Sequence, residues 1–400
     1  MRANQGRIVN AYGSSAATTL DGFPIMVAPL RGREVVLRWA AEMEGGDKCR
    51  QFGMRDYVGC PPWPFAKMLT FTLVPPVIRQ ERLRSPGRWI GNQMKWADGK
   101  SFAFTIFDDP DNQTVENGSP VYNFLYDNGF LTTKAVWPIR GKENPKVGGS
   151  TCEDQRYLQW CLGLQRRGYE IAMHNVTFHT STRAVTHVGM ERFRELFGHY
   201  PRTFSNHTGC LEGIYWGNSR LSGMRETLYN LLVGNAQKNT HQGHVETSPL
   251  FWGDMCREKI DYVRNFVFKN TNVLEACPTM PYHDPTRPYV KHWFSACEGP
   301  TVRSFVKTIS EARQDQLESE GGACIMYTHL AMGFYEGGAL HTGFTHLMGR
   351  LGQKNGWFVP VEVLLDYLLR VNGSHDITPQ QRRQLELRWI LSKLRTGGRT

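Results

Sequence analysis

The chain has 400 residues, 40% hydrophobic and 21% charged, and a formal net charge of +10. That balance excludes a disordered chain and a membrane-embedded one, and no apolar run approaches the roughly 20 residues that cross a bilayer. Lysine and arginine are spread along the whole length, so the charge reads as a solvated basic surface; with no recognisable reading motif, no nucleic-acid partner is expected.

Residues 1–20 are polar, with Arg2 and Arg7 but no apolar stretch behind them, and the expectation is a cytoplasmic protein. Residues 1–85 carry Gly and Pro punctuation, one helix candidate near Val35 to Met43 and an apolar run from Met68 to Val74. No role is assigned to this extension. Nine cysteines are scattered without any C-x-x-C pair, which indicates neither a disulfide framework nor a zinc ribbon, and most of them are expected to be buried free thiols.

From about Gly87 short apolar runs alternate with amphipathic stretches. The strand candidates are Phe102 to Phe107, Thr133 to Trp137, Glu170 to His174, Thr203 to Asn206, Val263 to Phe268, Cys324 to Thr328 and Trp357 to Val359. Helix candidates Val121 to Asn128, Asp154 to Arg167 and Gly189 to Phe197 are each followed by glycine, the expected left-handed stop. The alternation predicts an α/β fold, either a barrel or an open sheet. A basic tail helix begins at Thr378-Pro379 and carries Leu385, Leu387, Ile390, Leu391 and Leu394; it is expected to pack on the body or to join a second copy of the chain.

Three of the strand candidates end in residues suited to chemistry. The run Phe104-Thr105-Ile106-Phe107 stops at Asp108-Asp109-Pro110-Asp111, and three acids so close repel one another unless a cation or a proton sits among them. An Asp-Pro turn capping the next helix is the plain alternative. The run ending at Met173 leads into His174 and, after four residues, His179; two imidazoles and one carboxylate make a three-ligand metal site with room for water. The run Cys324 to Thr328 leads into His329. In β/α barrels catalytic groups gather at the carboxyl ends of strands, so Asp108, His174 and His329 are placed alike.

In order along the chain, these segments resemble the motifs of the polysaccharide deacetylase (NodB-homology) superfamily. Thr105 to Pro110 resembles the first motif, Gly168 to His174 the approach to the second, Gly198 to Phe204 the lead into the third and Tyr327-Thr328-His329 the fifth. Gly356 to Val361, with the helix Glu362 to Leu369, resembles the closing strand and helix. The resemblance implies an irregular (β/α) barrel of about seven strands over residues 86–372, between the extension 1–85 and the basic C-terminal helix 373–400. It also implies a divalent metal, zinc first and cobalt or nickel as alternates, on Asp109, His174 and His179. Asp108 would be the base and His329 the acid in removing an acetyl group from an N-acetylated sugar, a sugar precursor or a related linear amide.

The chain departs from the pattern at several points. Pro110 replaces a glycine, and Asp111 can bring a third carboxylate into the site. Ser205-Asn206-His207 stands where an arginine normally orients the catalytic aspartate, so Asn206 or His207 is expected to line the pocket. Trp252-Gly253-Asp254, His283-Asp284 and His292-Trp293 are candidates for the fourth motif, and Trp137 could stack on a sugar ring. A catalytically inactive carbohydrate- or protein-binding member is the alternative that these departures favour.

Overall fold

The computed structural model describes residues 17–20, 23–27, 34–39, 67–72, 96–141, 147–233 and 240–394. The chain divides into two compact units, Met1–Ser85 and Pro86–Thr400. In the first, β1 (Ala17–Leu20), β2 (Phe23–Val27), β3 (Glu34–Trp39) and β4 (Lys67–Thr72) form an antiparallel sheet in chain order. The segment expected to be helical near Val35 is therefore a strand over Glu34–Trp39, in keeping with the β-branched pair Val35-Val36 and the aromatic Trp39. Residues 40–43 of that expectation lie outside the described residues.

The second unit is a closed parallel barrel. Its seven strands are β5 (Phe102–Asp108), β6 (Thr133–Val136), β7 (Glu170–Met173), β8 (Thr203–Phe204), β9 (Tyr262–Phe268), β10 (His292–Glu298) and β11 (Ala323–Thr328). They pair in chain order, and β11 returns to β5 in register from Ala323↔Ala103 to Thr328↔Asp108. The strands β5, β6, β7 and β9 are buried at every position, because side chains fill one face and helices cover the other.

The barrel count of seven matches expectation, but its membership differs. Gly356–Trp357 pairs only with the start of β5, outside the ring, and β10 takes the seventh place. Six of the seven strand candidates thus fall on barrel strands. In His292-Trp-Phe-Ser-Ala-Cys-Glu298 there is no β-branched residue, and the pairing with β9 shifts register between Phe294 and Ala296, so the usual strand signals are weak.

Local signals place the covering helices. Helix Val115–Asp127 starts six residues before its expected beginning, because Thr114 and Asn117 form a reciprocal cap ahead of Pro120. Helix Gln155–Arg166 starts on Asp154, and Arg183–Phe197 stops at Gly198 with a φ of 80°.

Helix Pro379–Leu394 opens on Thr378, as the Thr-Pro signal predicts, and folds back on the barrel unit. Leu385, Trp389 and Ile390 are buried, with the Trp389 ring 5.2 Å from Phe266 of β9, while Leu387 and Leu391 stay exposed. Among the described residues, no helix is long and apolar enough to cross a membrane.

Candidate active site

The end of β5 and the turn after it deliver three carboxylates, Asp108, Asp109 and Asp111, with different fates. Asp108, its last residue, is fully buried. Gln113 Nε2 and Tyr122 Oη each donate to its Oδ2 at 2.9 Å, Leu330 N donates to Oδ1 at 2.8 Å, and Lys134 Nζ lies 3.8 Å away. Burial raises its pKa against the opposing pull of Lys134 and these hydrogen bonds. With both oxygens engaged, Asp108 does not line the cavity at the barrel mouth, where the resemblance had implied a base.

Asp109 does reach the cavity. Arg264 of β9 grips it, donating to Oδ1 at 3.2 Å and Oδ2 at 2.6 Å, and Ser205 Oγ donates to Oδ1 at 2.9 Å. Burial alone would raise its pKa, but the guanidinium charge and the His174 ring overcome it and hold the carboxyl well below the usual range. Arg264 is also clamped between rings, 4.3 Å from Tyr327 and 5.1 Å from Phe107. An arginine thus orients an aspartate here, but it comes from β9 and not from the segment after β8. Its signal was in the sequence, since a charged residue inside the apolar run Tyr262–Phe268 must find a partner when buried.

The three groups that converge are Asp111, His174 and His207, whose ligating atoms all lie within 4.8 Å of one another. His174 Nε2 is 3.6 Å and His207 Nε2 3.8 Å from Asp111 Oδ1. That oxygen is buried and has no hydrogen-bond partner. Ligand atoms about 2.0–2.2 Å from a tetrahedral zinc ion are roughly 3.4 Å apart, so these spacings suit a divalent cation with little adjustment.

The other ring nitrogens are occupied, as a metal-ligating histidine requires. His174 Nδ1 lies 3.1 Å from the Ser205 carbonyl and 2.7 Å from Ser205 Oγ, and His207 Nδ1 faces Cys210 Sγ at 3.5 Å. Burial lowers the pKa of both imidazoles, which favours the neutral, ligating form. A divalent metal fits this donor set.

His329 follows β11, its Nδ1–H donating to the Pro300 carbonyl at 2.9 Å. This leaves Nε2 facing the cavity, 3.4 Å from Asp111 Oδ2 and 3.3 Å from Tyr327 Oη. His179, expected as a ligand, lines the same cavity but stands apart from the three-ligand cluster. Its Nδ1 meets the Thr180 carbonyl, and its Nε2 fills the space that a Cβ on Gly141 would need. Asn206 lines the cavity too, with its amide bonded to both backbone groups of Ile214.

Trp137 is fully buried beneath the imidazoles, its ring 6.0 Å from His174 and 5.7 Å from His207, and offers no face to a sugar. His283 and Asp284 do not line the cavity. His283 pairs with Asp376 at 2.8 Å, and Asp284 pairs with Arg287 and with Arg382 of the C-terminal helix. The cavity itself is an open cleft of about 590 Å³, lined in part by Asp109, Asp111, His174, His207, Arg264 and His329.

No family model matches the sequence, and no curated protein is significantly similar to it. Among solved structures, the chain is similar to a putative polysaccharide deacetylase from Mycobacterium smegmatis (TM-score 0.39, 12% identity, 72% of this chain and 94% of that one). It is similar to Puue allantoinase (TM-score 0.37, 10% identity, 69% and 92%) and to a probable polysaccharide deacetylase from Pseudomonas aeruginosa PAO1 (TM-score 0.38, 13% identity, 69% and 93%). These TM-scores are low, and the barrel is defined here by its own strand order.

Proposed function

We propose that the protein is a metal-dependent hydrolase of carbon–nitrogen bonds that removes an acetyl group from an N-acetylated sugar, a sugar precursor or a related linear amide. The observation that carries this reading is the convergence of His174 Nε2 and His207 Nε2 on the unpartnered Asp111 Oδ1 at the mouth of the barrel. Asp111, His174 and His207 would hold the ion; a two-imidazole, one-carboxylate set suits zinc first, with cobalt or nickel as alternates. A divalent ion supplies Lewis-acid polarisation of the amide carbonyl and brings a water's pKa down to about 7, within reach of a weak base.

The chain's own groups divide the remaining work. Asp109, held anionic by Arg264 and fixed by Ser205, keeps a negative charge beside the metal-ligand cluster. With its carboxyl held well below the usual range it is a poor base, and the proton of the attacking water passes to His329 Nε2. His329, once protonated, donates from Nε2 to the departing nitrogen. Its ring is aimed by the Pro300 carbonyl, and Nε2 lies 3.4 Å from Asp111 Oδ2. Products are an amine and acetate. Positioned acid and base groups each contribute roughly 10²–10⁴-fold in rate.

An inactive binding module is the second reading, and the engagement of Asp108 by four partners favours it. One experiment separates the two. Metal content is measured on wild type, Asp111→Ala and His207→Ala, and acetate release from N-acetylated sugars is followed on the metal-loaded protein. About one ion per chain, lost in both variants, together with acetate release supports the hydrolase. A bound metal without acetate release from any amide supports the binding module, and a chain that takes up no metal overturns the site.

A further inference from the structure

The same cleft is lined by a second guanidinium, Arg220, which none of the chemistry above uses. Only 3% of it is exposed, and it lies between two indoles, 4.2 Å from Trp216 and 4.4 Å from Trp389. Its Nε donates to the Gly217 carbonyl at 3.1 Å, and Tyr229 is a further hydrogen-bonding neighbour. Among the described residues it forms an ion pair with no carboxylate. That is unusual, because a charge removed from water is normally compensated by an opposite one.

Arg264 acts against the charge of Arg220, and Arg220 in turn helps, after burial, to depress the proton affinity of His241; Lys393, also lowered by burial and by Arg220, has its own partner in Glu298. Asp109 is already taken by Arg264, and Asp111 by the metal-ligand cluster. A divalent ion there would make the cleft more positive still. The indoles hold the guanidinium plane, with Nε on the Gly217 carbonyl and Tyr229 beside it, and no carboxylate among the described residues takes the fork that an oxyanion would fill.

We propose that Arg220 is an anion-binding residue of the substrate cleft, so that the amide cleaved at the metal centre belongs to a molecule carrying a carboxylate or phosphate. This rests on the hydrolase reading for the word substrate, though the anion site stands or falls separately. A neutral N-acetylated sugar would leave a buried cation uncompensated, whereas an acidic one supplies the missing charge.

The test titrates the full chain, stripped of metal with a chelator that is then dialysed away, with inorganic phosphate and separately with acetate. Heat of binding and the shift in thermal midpoint are the readouts. Removing the metal keeps the anions from binding there. Wild type is expected to bind at least one of the two, and the tighter one identifies the source as phosphate or carboxylate. Arg220→Met should weaken that binding about 10- to 100-fold, the loss expected for a charge-assisted fork. Arg220→Lys keeps the charge between the indoles and should lose less than about tenfold; it carries the test if the methionine variant does not fold.

Equal affinity in wild type and both variants, or no binding by wild type, overturns the proposal. Metal content is read on the same preparations before stripping. Arg220-dependent anion binding in a chain that takes up no metal leaves the anion site standing and sinks the hydrolase; a metal-binding chain with no Arg220-dependent anion binding does the reverse.

Discussion

Replacing Arg264 by methionine tests how the site is held together. Arg264 and Asp109 have 3% and 2% of their side chains exposed, and two N–H groups bridge them. Removing one member leaves the other as an uncompensated buried charge, which costs about 3–5 kcal/mol. Loss of the guanidinium over Tyr327 and Phe107 adds about 1–2 kcal/mol. Arg264→Met should therefore lower unfolding free energy by roughly 4–7 kcal/mol. Asp109→Asn, which strands the cation instead, should cost about 3–5 kcal/mol.

The double variant removes both charges and should cost far less than the two singles together, with a coupling of about 2 kcal/mol or more. Urea denaturation of the metal-stripped chain, followed by tryptophan fluorescence and by circular dichroism, measures all four states. A single-variant cost below about 1 kcal/mol, or a double variant whose cost equals the sum of the singles, would refute the claim that this pair is a desolvated, mutually dependent unit.

Other outcomes follow from the same geometry. His207→Ala should weaken metal affinity by more than the roughly 100-fold that loss of an outer partner can bring, while His179→Ala should leave it within about tenfold of wild type; competition with a chromogenic chelator reads both. Glu170, buried at the start of β7 between Thr133 and Thr203, has its pKa pushed from 4.5 up to about 8 by burial and by the nearby Glu362. Because the folded state holds this proton more tightly, its stabilising effect is complete below pH 4.5 and is lost as pH rises through about 8. Stability should fall by up to about 1.4 kcal/mol per pH unit across that window, and Glu170→Gln should flatten the slope seen by denaturant titration. Trp389→Ala should cost about 3–5 kcal/mol in the same assay, since it empties the space between Phe266, Tyr229 and Arg220.

The barrel was legible where the chain announces it by contrast. Strands β5, β7 and β11 are apolar runs that break at acid or histidine, and the three residues at those breaks occupy equivalent ends of the barrel. β10 carries small and aromatic residues without alternation and had no such contrast. In the first unit, the β-branched pair Val35-Val36 and Trp39 favour a strand over the helix expected near Val35 to Met43, and pairing with β2 and β4 completes it.

The site was legible in type but less so in assignment. The acid cluster and the histidine segments do meet, yet spacing along the chain does not say which face of a loop each side chain takes. Asp111 turns toward the imidazoles, where Asp109 was expected as ligand, and His207, six residues before Gly213 in a loop held to Asn175, enters where His179 was expected. Both differences depend on contacts between segments more than 30 residues apart, such as the 2.7 Å hydrogen bond from His207 N to Asn175 Oδ1. No local pattern encodes those. Arg264 stands out as a charge inside an apolar strand, but the identity of its partner, 155 residues away, is not encoded locally.

Asp108 changes how an inactivating substitution in this chain must be interpreted. Its carboxylate collects donors from helix Val115–Asp127, from the turn before that helix, from β6 and from the loop after β11, where the barrel closes. It therefore works as a keystone, fixing the mouth of the barrel at the seam where the last strand meets the first. A dead Asp108→Ala protein would say that the seam had opened, and nothing about proton transfer. The residue an experimenter would mutate first to find the base is the one whose loss is least able to identify it.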